Sequence, residues 1–372
     1  MDLNELLQAA KEKEASDLHI TVGSPPVVRI HNKLTVMTEY PKLMPADTQS
    51  LLFSIMDDEH LETLRRTGEV DLSYGVAQIG RFRVNVYRQR GTYSAAIRLM
   101  SSKIPTVEEL GIPQTVVDLY NKQSGLVLVT GPTGSGKSTT LAALIQKIND
   151  NRRCHVLTLE DPIEYLYRHN NSLIDQREIG LDSASFASGL RAALREDPDV
   201  ILVGEMRDPE TISIAVTAAE TGHLVFSTLH TTGAASTIGR IVDAFPEGQK
   251  EQIRTQLALV LESVVSQRLL PRADRPGRIA CFEIMHCTPA IRSLIRDNKT
   301  FQIPSIIQTN RKLGMITMDD ALIEAMQAGK ISREMVMEYA SDPALAASRL
   351  GIAPPPGRED AAPARENRRP GW

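Results

Sequence analysis

Gly131-Pro132-Thr133-Gly134-Ser135-Gly136-Lys137-Ser138 is the stretch of sequence that decides the fold. It matches the pattern G-x-x-x-x-G-K-[ST] without a mismatch. The apolar run at residues 126–130 predicts a buried strand before it, and the apolar spacing of residues 139–148 predicts a helix after it. Strand, glycine loop and helix are the context in which this pattern binds phosphate, and they argue against the alternative of a chance Gly-rich turn.

A loop of this kind surrounds an anion with backbone donors. Its glycines let the chain curl so that several N–H groups point at one phosphate, and the helix N-terminus adds partial positive charge. Lys137 would reach the β- and γ-phosphates, and the Ser138 hydroxyl would ligate Mg²⁺. We therefore predict a site for ATP and Mg²⁺ whose nucleotide contacts come from Gly131, Pro132, Thr133, Gly134, Ser135, Gly136, Lys137, Ser138 and Thr139.

The composition indicates a globular protein in a reducing compartment. A length of 372 residues suits two or three domains, at roughly 150 residues each. The three cysteines form no C-x-x-C pair, which excludes a disulfide framework and a tetracysteine zinc site. The net charge of −4 gives no reason to expect nucleic acid as a partner. With neither a signal peptide nor a run of roughly 20 apolar residues, we expect a soluble, cytoplasmic chain, which could still dock on a membrane protein.

The first hundred residues predict a small α+β domain. Near its end, Phe82, Val84 and Val86 alternate with Arg81 and Arg83, as in a half-buried strand with a basic outer face. Arg98 lies on the polar side of the next predicted strand. The domain at residues 1–100 therefore presents an arginine-rich sheet face, and residues 101–113, rich in proline and glycine, predict a linker.

Residues 114–341 predict the main domain. Strands expected at residues 126–130, 155–160, 200–204 and 223–228 alternate with helices, which is typical of an α/β fold with a mostly parallel sheet covered on both faces. After residue 233 we expect mainly helices, with one strand near residues 279–284. Residues 342–372 are rich in alanine, proline and charge, and predict a disordered tail.

Acidic residues follow the strand expected at residues 155–160. In open α/β sheets ligands bind beyond the carboxyl ends of the strands, so Glu160, Asp161 and Glu164 would lie near the phosphates. We predict Ser138, Glu160 and Glu164 as the metal site. The alternative is a helix N-cap with acids in its first turn.

Residues 199–205 form an apolar strand that ends in a carboxylate. Gly204 stands where such strands usually carry aspartate, and Glu205 follows it. An acid at this position can polarise the attacking water, so we predict Glu205 as the catalytic base. The alternative is a simple ion pair with Arg207.

Two histidines bracket the next expected strand. His230 stands beyond its carboxyl end, on the nucleotide side, and is predicted to contact the γ-phosphate. His223, at the other end, is the weaker candidate. A hydrogen-bonded structural role is the alternative for both.

Hydrolysis of ATP needs cations that neutralise transition-state charge. Lys137 supplies one, but the loops of the main domain offer few others, apart from Arg195 and Arg207. We therefore predict catalytic roles for Arg81, Arg83 and Arg98, which would link hydrolysis to domain movement. A solvated charged face is the alternative.

Over roughly residues 1–340 the chain resembles the secretion-type ATPases of the type II secretion and type IV pilus systems, and within them the branch that retracts pili. The resemblance is carried by Ala15-Ser16-Asp17-Leu18-His19, Gly80-Arg81-Phe82-Arg83-Val84-Asn85, the phosphate loop, residues 160–164, Glu205, residues 222–230 and Ala290-Ile291-Arg292-Ser293-Leu294-Ile295-Arg296-Asp297. The last stretch is similar to the signature AIRNLIRE, from which it departs at Ser293 and Asp297.

This resemblance implies a RecA-like motor domain with a smaller PAS-like N-terminal domain, assembled as a homohexamer. The ring would dock at the inner-membrane base of the pilus machine, on a platform protein, and hydrolyse ATP to drive pilus retraction and twitching motility. An accessory retraction ATPase is the nearest rival and also a possible partner. A non-catalytic, nucleotide-gated assembly factor and a nucleic-acid translocase are the alternatives from other classes.

Overall fold

The computed structural model describes residues 1–30, 33–77, 79–100 and 103–351. The chain divides into two compact units. The first consists of Met1–Ile104 and Asp161–Arg168, and the second of Pro105–Glu160 and the chain from His169 onward. Within the part that the structure describes, no helix is long and apolar enough to cross a bilayer.

The first unit contains an antiparallel six-stranded sheet in the order β3-β2-β1-β6-β5-β4. Helix α1 packs its apolar side, including Leu6 and Leu7, into the same core as Phe82, Val84 and Val86 of the sheet. The elements are α1 (Leu3–Glu12), β1 (Asp17–Ile20), β2 (Val27–Ile30), β3 (Lys33–Val36), α2 (Pro45–Phe53), α3 (Asp58–Thr67), β4 (Glu69–Val76), β5 (Gly80–Gln89) and β6 (Thr92–Leu99).

The second unit is built on a seven-stranded sheet in the order β13-β12-β7-β11-β10-β8-β9. Its strands pair in parallel, except that β12 and β13 are antiparallel. Its strands are β7 (Gly125–Thr130), β8 (His155–Glu160), β9 (Leu173–Glu178), β10 (Val200–Val203), β11 (Leu224–Leu229), β12 (Leu261–Pro271) and β13 (Arg278–His286).

The helices of the second unit begin with α4, before β7, and α5, α6, α7 and α8 then follow β7, β9, β10 and β11. They are α4 (Gln114–Val117), α5 (Lys137–Asn151), α6 (Phe186–Ala193), α7 (Pro209–Glu220), α8 (Ala234–Asp243), α9 (Lys250–Val260), α10 (Pro289–Arg296), α11 (Ile303–Thr309), α12 (Met318–Gln327), α13 (Arg333–Tyr339) and α14 (Pro343–Arg349). Short 3-10 turns lie at Asp118–Asn121, Glu247–Gln249, Thr300–Gln302 and Arg311–Leu313.

The predicted α/β class with a mostly parallel sheet is confirmed. The central strands β7, β10 and β11 are buried at every residue. This is why they read as continuous apolar runs rather than as alternating ones.

The prediction that only one strand follows residue 233 is wrong. Strand β12 begins at Leu261, directly after the last residue of α9, Val260. Because no turn residue separates the helix from the strand, the sequence predicts a helix that continues through Leu261–Pro271. Strand β9 was missed as well, because its sequence Leu-Ile-Asp-Gln-Arg-Glu is largely polar.

The predicted tail is also corrected at its start. Residues 343–349 form helix α14, whose Ala346 and Ala347 are buried. The Asp319 carboxylate accepts the backbone N–H groups of Ser341 and Asp342, at 2.6 and 3.1 Å, and so fixes the entry to this helix. The rest of the predicted tail, from residue 352, lies outside the described residues.

Two predicted boundaries differ from the compact units. Asp161–Arg168, placed by the sequence in the main domain, belong to the first unit. The predicted linker lies from Pro105 onward in the second unit, where Val107 and Ile112 are buried, while Ser101 and Ser102 lie outside the described residues.

Candidate nucleotide-binding and hydrolysis site

The glycine loop joins β7 to α5 in the second unit. Gly131, Gly134 and Gly136 all have positive φ angles, of 142°, 78° and 88°. At Gly131 a Cβ atom would lie 2.3 Å from the backbone oxygen of Gln267 and 2.7 Å from Ser135 Oγ. The loop therefore needs glycine there for its conformation and for its contact with β12.

Lys137 opens α5 and is only 9% exposed. Its ammonium group donates to the backbone oxygens of Gly131, at 2.9 Å, and Pro132, at 3.1 Å. The charged group thus lies against the loop that it would share with a phosphate. Ser138 follows it with an exposed side chain, and Gly136 has no side chain with which to cap the first N–H groups of the helix. This arrangement fits an anion at the helix N-terminus.

Gln267 is a residue of this site that the sequence analysis missed. Its backbone oxygen faces Gly131, and its side-chain oxygen accepts the Thr140 hydroxyl at 2.8 Å. The same buried side chain lies 2.9 Å from where a Cβ of Gly136 would be. Strand β12 thus supports both the loop and the first turns of α5, and no local pattern in the loop could have indicated this.

Glu205 follows β10 and Gly204. A Cβ atom on Gly204 would lie 3.1 Å from the backbone oxygen of Leu159, in the neighbouring strand β8. A side chain there would require the neighbouring backbone to shift by a few tenths of an ångström, which disfavours the aspartate that such strands usually carry. Glycine at this position leaves Glu205 as the first carboxylate after the strand.

The Glu205 carboxylate contacts both the Arg207 guanidinium group and the His230 imidazole ring. Arg207 Nη2 lies 2.7 Å from one oxygen, and His230 Nε2 lies 3.1 Å from the other. Burial raises the pKa of Glu205, but the hydrogen bonds and charges of Arg207 and His230 outweigh burial and leave the pKa below its ordinary value. The ion pair with Arg207, stated above as the alternative, is therefore present together with the contact to His230.

The two histidines have different surroundings. His230 comes directly after β11, contacts Glu205, and lines with it a cavity of about 410 Å³ to which Thr231 and Arg240 also contribute. His223, at the start of β11, contacts the backbone oxygen of Ala218 through Nδ1 at 2.9 Å. His223 has the structural role that was its alternative.

The pairing of the strands aligns these groups along one edge of the sheet. Strands β7, β11, β10 and β8 are consecutive neighbours and run parallel. The loop, His230, Glu205 and Glu160 therefore stand at four adjacent carboxyl ends, where ligands of open α/β sheets bind.

The predicted metal ligands are divided between the two units. Glu160 ends β8 in the second unit and accepts the Thr158 hydroxyl at 2.7 Å and the Gln176 amide at 3.2 Å. Glu164 belongs to the first unit, where it lines a cavity of about 600 Å³ with Lys11 and Arg81. Among the described residues there is no group of three or more His, Cys, Asp or Glu side chains that could hold a metal ion. The set of Ser138, Glu160 and Glu164 stays a prediction.

The arginine-rich face is present in the first unit. Arg83 on β5 stands opposite Arg98 on β6, and Arg98 stands opposite Asp17 on β1. Arg98 Nε lies 3.2 Å from the Asp17 carboxylate, while the Arg83 side chain is exposed. Like charges opposite each other destabilise a sheet, so Asp17 offsets part of this repulsion.

Comparison with known proteins agrees with these observations. The sequence profile of the type II/IV secretion system protein family matches residues 1–276. The chain is 47% identical over 343 residues to the type IV pilus retraction ATPase PilT of Pseudomonas aeruginosa. This alignment covers 92% of this chain and 99% of that protein. It is also 47% identical over 317 residues to a twitching motility protein of Neisseria gonorrhoeae, covering 85% of this chain and 84% of that one.

A solved structure of the pilus retraction motor PilT with bound ADP is similar in fold. It superposes with a TM-score of 0.87 at 48% identity, covering 92% of this chain and 98% of that one. The resemblance stated from the sequence is thereby confirmed.

Substituting Gly131 tests the fit of the loop. Gly131→Ala should bind nucleotide at least about tenfold, or 1.4 kcal/mol, more weakly than Gly134→Ala, because only at Gly131 does the new methyl group collide with the Gln267 backbone. Gly134→Ala is the matched control, since its φ is also positive but open space surrounds it. It should suffer only the left-handed strain of about 1–2 kcal/mol. Titration with a fluorescent ATP analogue checks both, and equal affinities would show that the contact with Gln267 does not shape the loop.

Proposed function

Because the chain belongs to the type II/IV secretion system protein family, we propose that it is an ATPase that powers the retraction of type IV pili and thereby twitching motility. The observation that carries this proposal is the ionised carboxylate of Glu205, held between Arg207 and His230 at the end of the sheet from which the phosphate loop begins. A loop alone would support binding. The carboxylate adds a base for hydrolysis.

In the proposed reaction, Glu205 accepts a proton from the water that attacks the γ-phosphate. His230 holds the carboxylate in place and contacts the γ-phosphate. The loop amides and Lys137 stabilise the negative charge that spreads over the phosphate oxygens. Ser138 and Glu160 of the second unit would hold Mg²⁺, whose charge would offset that of the phosphates when the ion is bound.

Replacing the base tests the assignment. Glu205→Gln keeps the size of the side chain but removes its basicity, so kcat should fall by about 10²–10⁴-fold while ATP still binds. Glu210→Gln is the control, because Glu210 is an exposed carboxylate nearby in α7 that pairs with Arg191. Steady-state phosphate release and ATP titration measure the two effects. Turnover at the wild-type rate in Glu205→Gln would refute the assignment, and no turnover in the unaltered chain would favour a nucleotide-gated assembly factor.

We also propose that Arg81, Arg83 and Arg98 supply positive charge to the transition state. Arg83 carries the proposal best, because its side chain is exposed while Arg98 is paired with Asp17. Arg83→Ala should lower kcat about tenfold or more and change ATP affinity little, since such a group acts mainly in the transition state. Arg88→Ala, exposed on the same strand but on the opposite face, is the control. A loss of affinity with unchanged kcat would assign Arg83 to ground-state binding instead.

The same family membership supports a proposal for the assembly and its surroundings. The active form is a homohexamer that docks from the cytoplasm on the pilus platform protein in the inner membrane. An accessory retraction ATPase is a further partner, and nucleic acid is not one. The stretch from Ala290 to Asp297 favours the main retraction motor over the accessory one.

Deleting the gene tests the direction of movement. Cells without this chain should carry excess surface pili and lose twitching, because extended pili are no longer withdrawn. The unaltered gene should restore twitching, and Glu205→Gln should not. Electron microscopy of the cells and a plate motility assay give both results. Cells without pili would show that the motor extends pili, and normal twitching would show that another ATPase retracts them.

A further inference from the structure

Glu283 joins the beginnings of two helices, although no local sequence pattern indicates it. It lies on β13, opposite Ser266 of β12. One carboxylate oxygen accepts the backbone N–H of Ala234, the first residue of α8, at 2.7 Å. The other oxygen accepts the backbone N–H of Met318, the first residue of α12, at 3.2 Å. A single side chain thus receives an otherwise unpaired donor from each helix.

Strands β12 and β13 form an antiparallel hairpin, and helix α8 depends on it because its own N-cap residue makes no side-chain hydrogen bond. Its N-cap residue is Gly233, which has no side chain. The Gly233 N–H donates to the Ser266 hydroxyl at 2.9 Å, and the next N–H, that of Ala234, donates to Glu283. Strands β12 and β13 therefore supply the first two acceptors of α8, where carboxylate charge also meets the positive end of the helix.

The fixed helix start lies next to the proposed catalytic histidine. Only Thr231, Thr232 and Gly233 separate His230 from Ala234. Within this turn, the Thr237 hydroxyl donates to the backbone oxygen of Gly233 and contacts the Thr231 hydroxyl, both at 2.8 Å. The turn is thus tied to α8 at one end, while His230 contacts Glu205 at the other.

We propose that Glu283 is a positioning residue for ATP hydrolysis: by holding the first turn of α8 it keeps His230 beside Glu205. This inference rests on the proposed ATPase function. The carboxylate does not touch the reacting atoms and acts through the turn. Burial raises the pKa of Glu283 above its ordinary value, and the two N–H donors offset only part of that rise.

Glu283→Gln removes this arrangement with the least change of shape. A carboxamide has one acceptor oxygen, and its NH₂ group would face the second N–H donor. One helix start therefore loses its acceptor. We expect kcat to fall about tenfold or more, since small displacements of catalytic groups cost up to about a hundredfold. The KM for ATP should change by a smaller factor than kcat, because the phosphate loop and the start of α5 are supported by Gln267 rather than by Glu283.

Glu262→Gln is the matched control. Glu262 lies on β12 of the same hairpin, and its carboxylate forms ion pairs with Arg292 at 2.6 Å and Lys122 at 2.7 Å. Its substitution therefore removes a carboxylate and its contacts from the same hairpin without affecting the start of α8. It should lower the unfolding temperature with kcat largely retained. Ser266→Ala is the milder second variant, which removes only the acceptor of the Gly233 N–H and should lower kcat in the same direction by a smaller factor.

Hydrogen exchange gives a readout that does not depend on turnover. In Glu283→Gln and Ser266→Ala, a peptide covering residues 230–237 should exchange faster than in the unaltered chain and in Glu262→Gln. Wild-type kcat in Glu283→Gln, a kcat loss equal to that of Glu262→Gln, or unchanged exchange at residues 230–237 would each overturn the inference. An unaltered chain without ATPase activity would instead refute the proposed function, so the two failures are distinguishable.

Discussion

The contact between Gly131 and the backbone of Gln267 is the constraint on which the site depends. No side chain fits at Gly131, because its Cβ would lie 2.3 Å from that carbonyl oxygen. The same residue of β12 holds Thr140 of α5 through its side chain. The loop is therefore shaped by a strand more than a hundred residues further along the chain. Because β12 packs against the phosphate loop, the N–H groups of the loop keep their direction without a ligand to order them.

The order of the strands then brings the chemical groups together. Because β7, β11, β10 and β8 are parallel neighbours, loop, histidine and two carboxylates share one edge. Among them Glu205 has the clearest electrostatic setting, since Arg207 and His230 lower its pKa against the effect of burial. A depressed pKa in the folded state means that these contacts stabilise the protein above the unfolded pKa and are lost only as the pH falls through the folded value. Glu205 is thus ionised at neutral pH, as a base must be.

Those parts of the site that a short, continuous run of residues forms could be predicted from the sequence. The loop pattern, the apolar strands before Gly131 and Glu205, and the position of His230 after a strand each follow from a short run of residues. Gln267 and Glu283 could not be found in this way, because their roles come from contacts between β12 or β13 and distant helix starts. The division of the chain into two compact units could not be predicted from short runs of residues either. Asp161 and Glu164 follow β8 directly in sequence but belong to the first unit.

The most direct test of this account is a crystal structure of the full chain with Mg²⁺ and a non-hydrolysable ATP analogue. We expect the Lys137 ammonium group to leave the backbone oxygens of Gly131 and Pro132 for the β- and γ-phosphates. We also expect Glu205, still in contact with His230, to face the γ-phosphate through a water molecule. A nucleotide bound elsewhere, or bound at the loop with Glu205 turned away from the γ-phosphate, would contradict it.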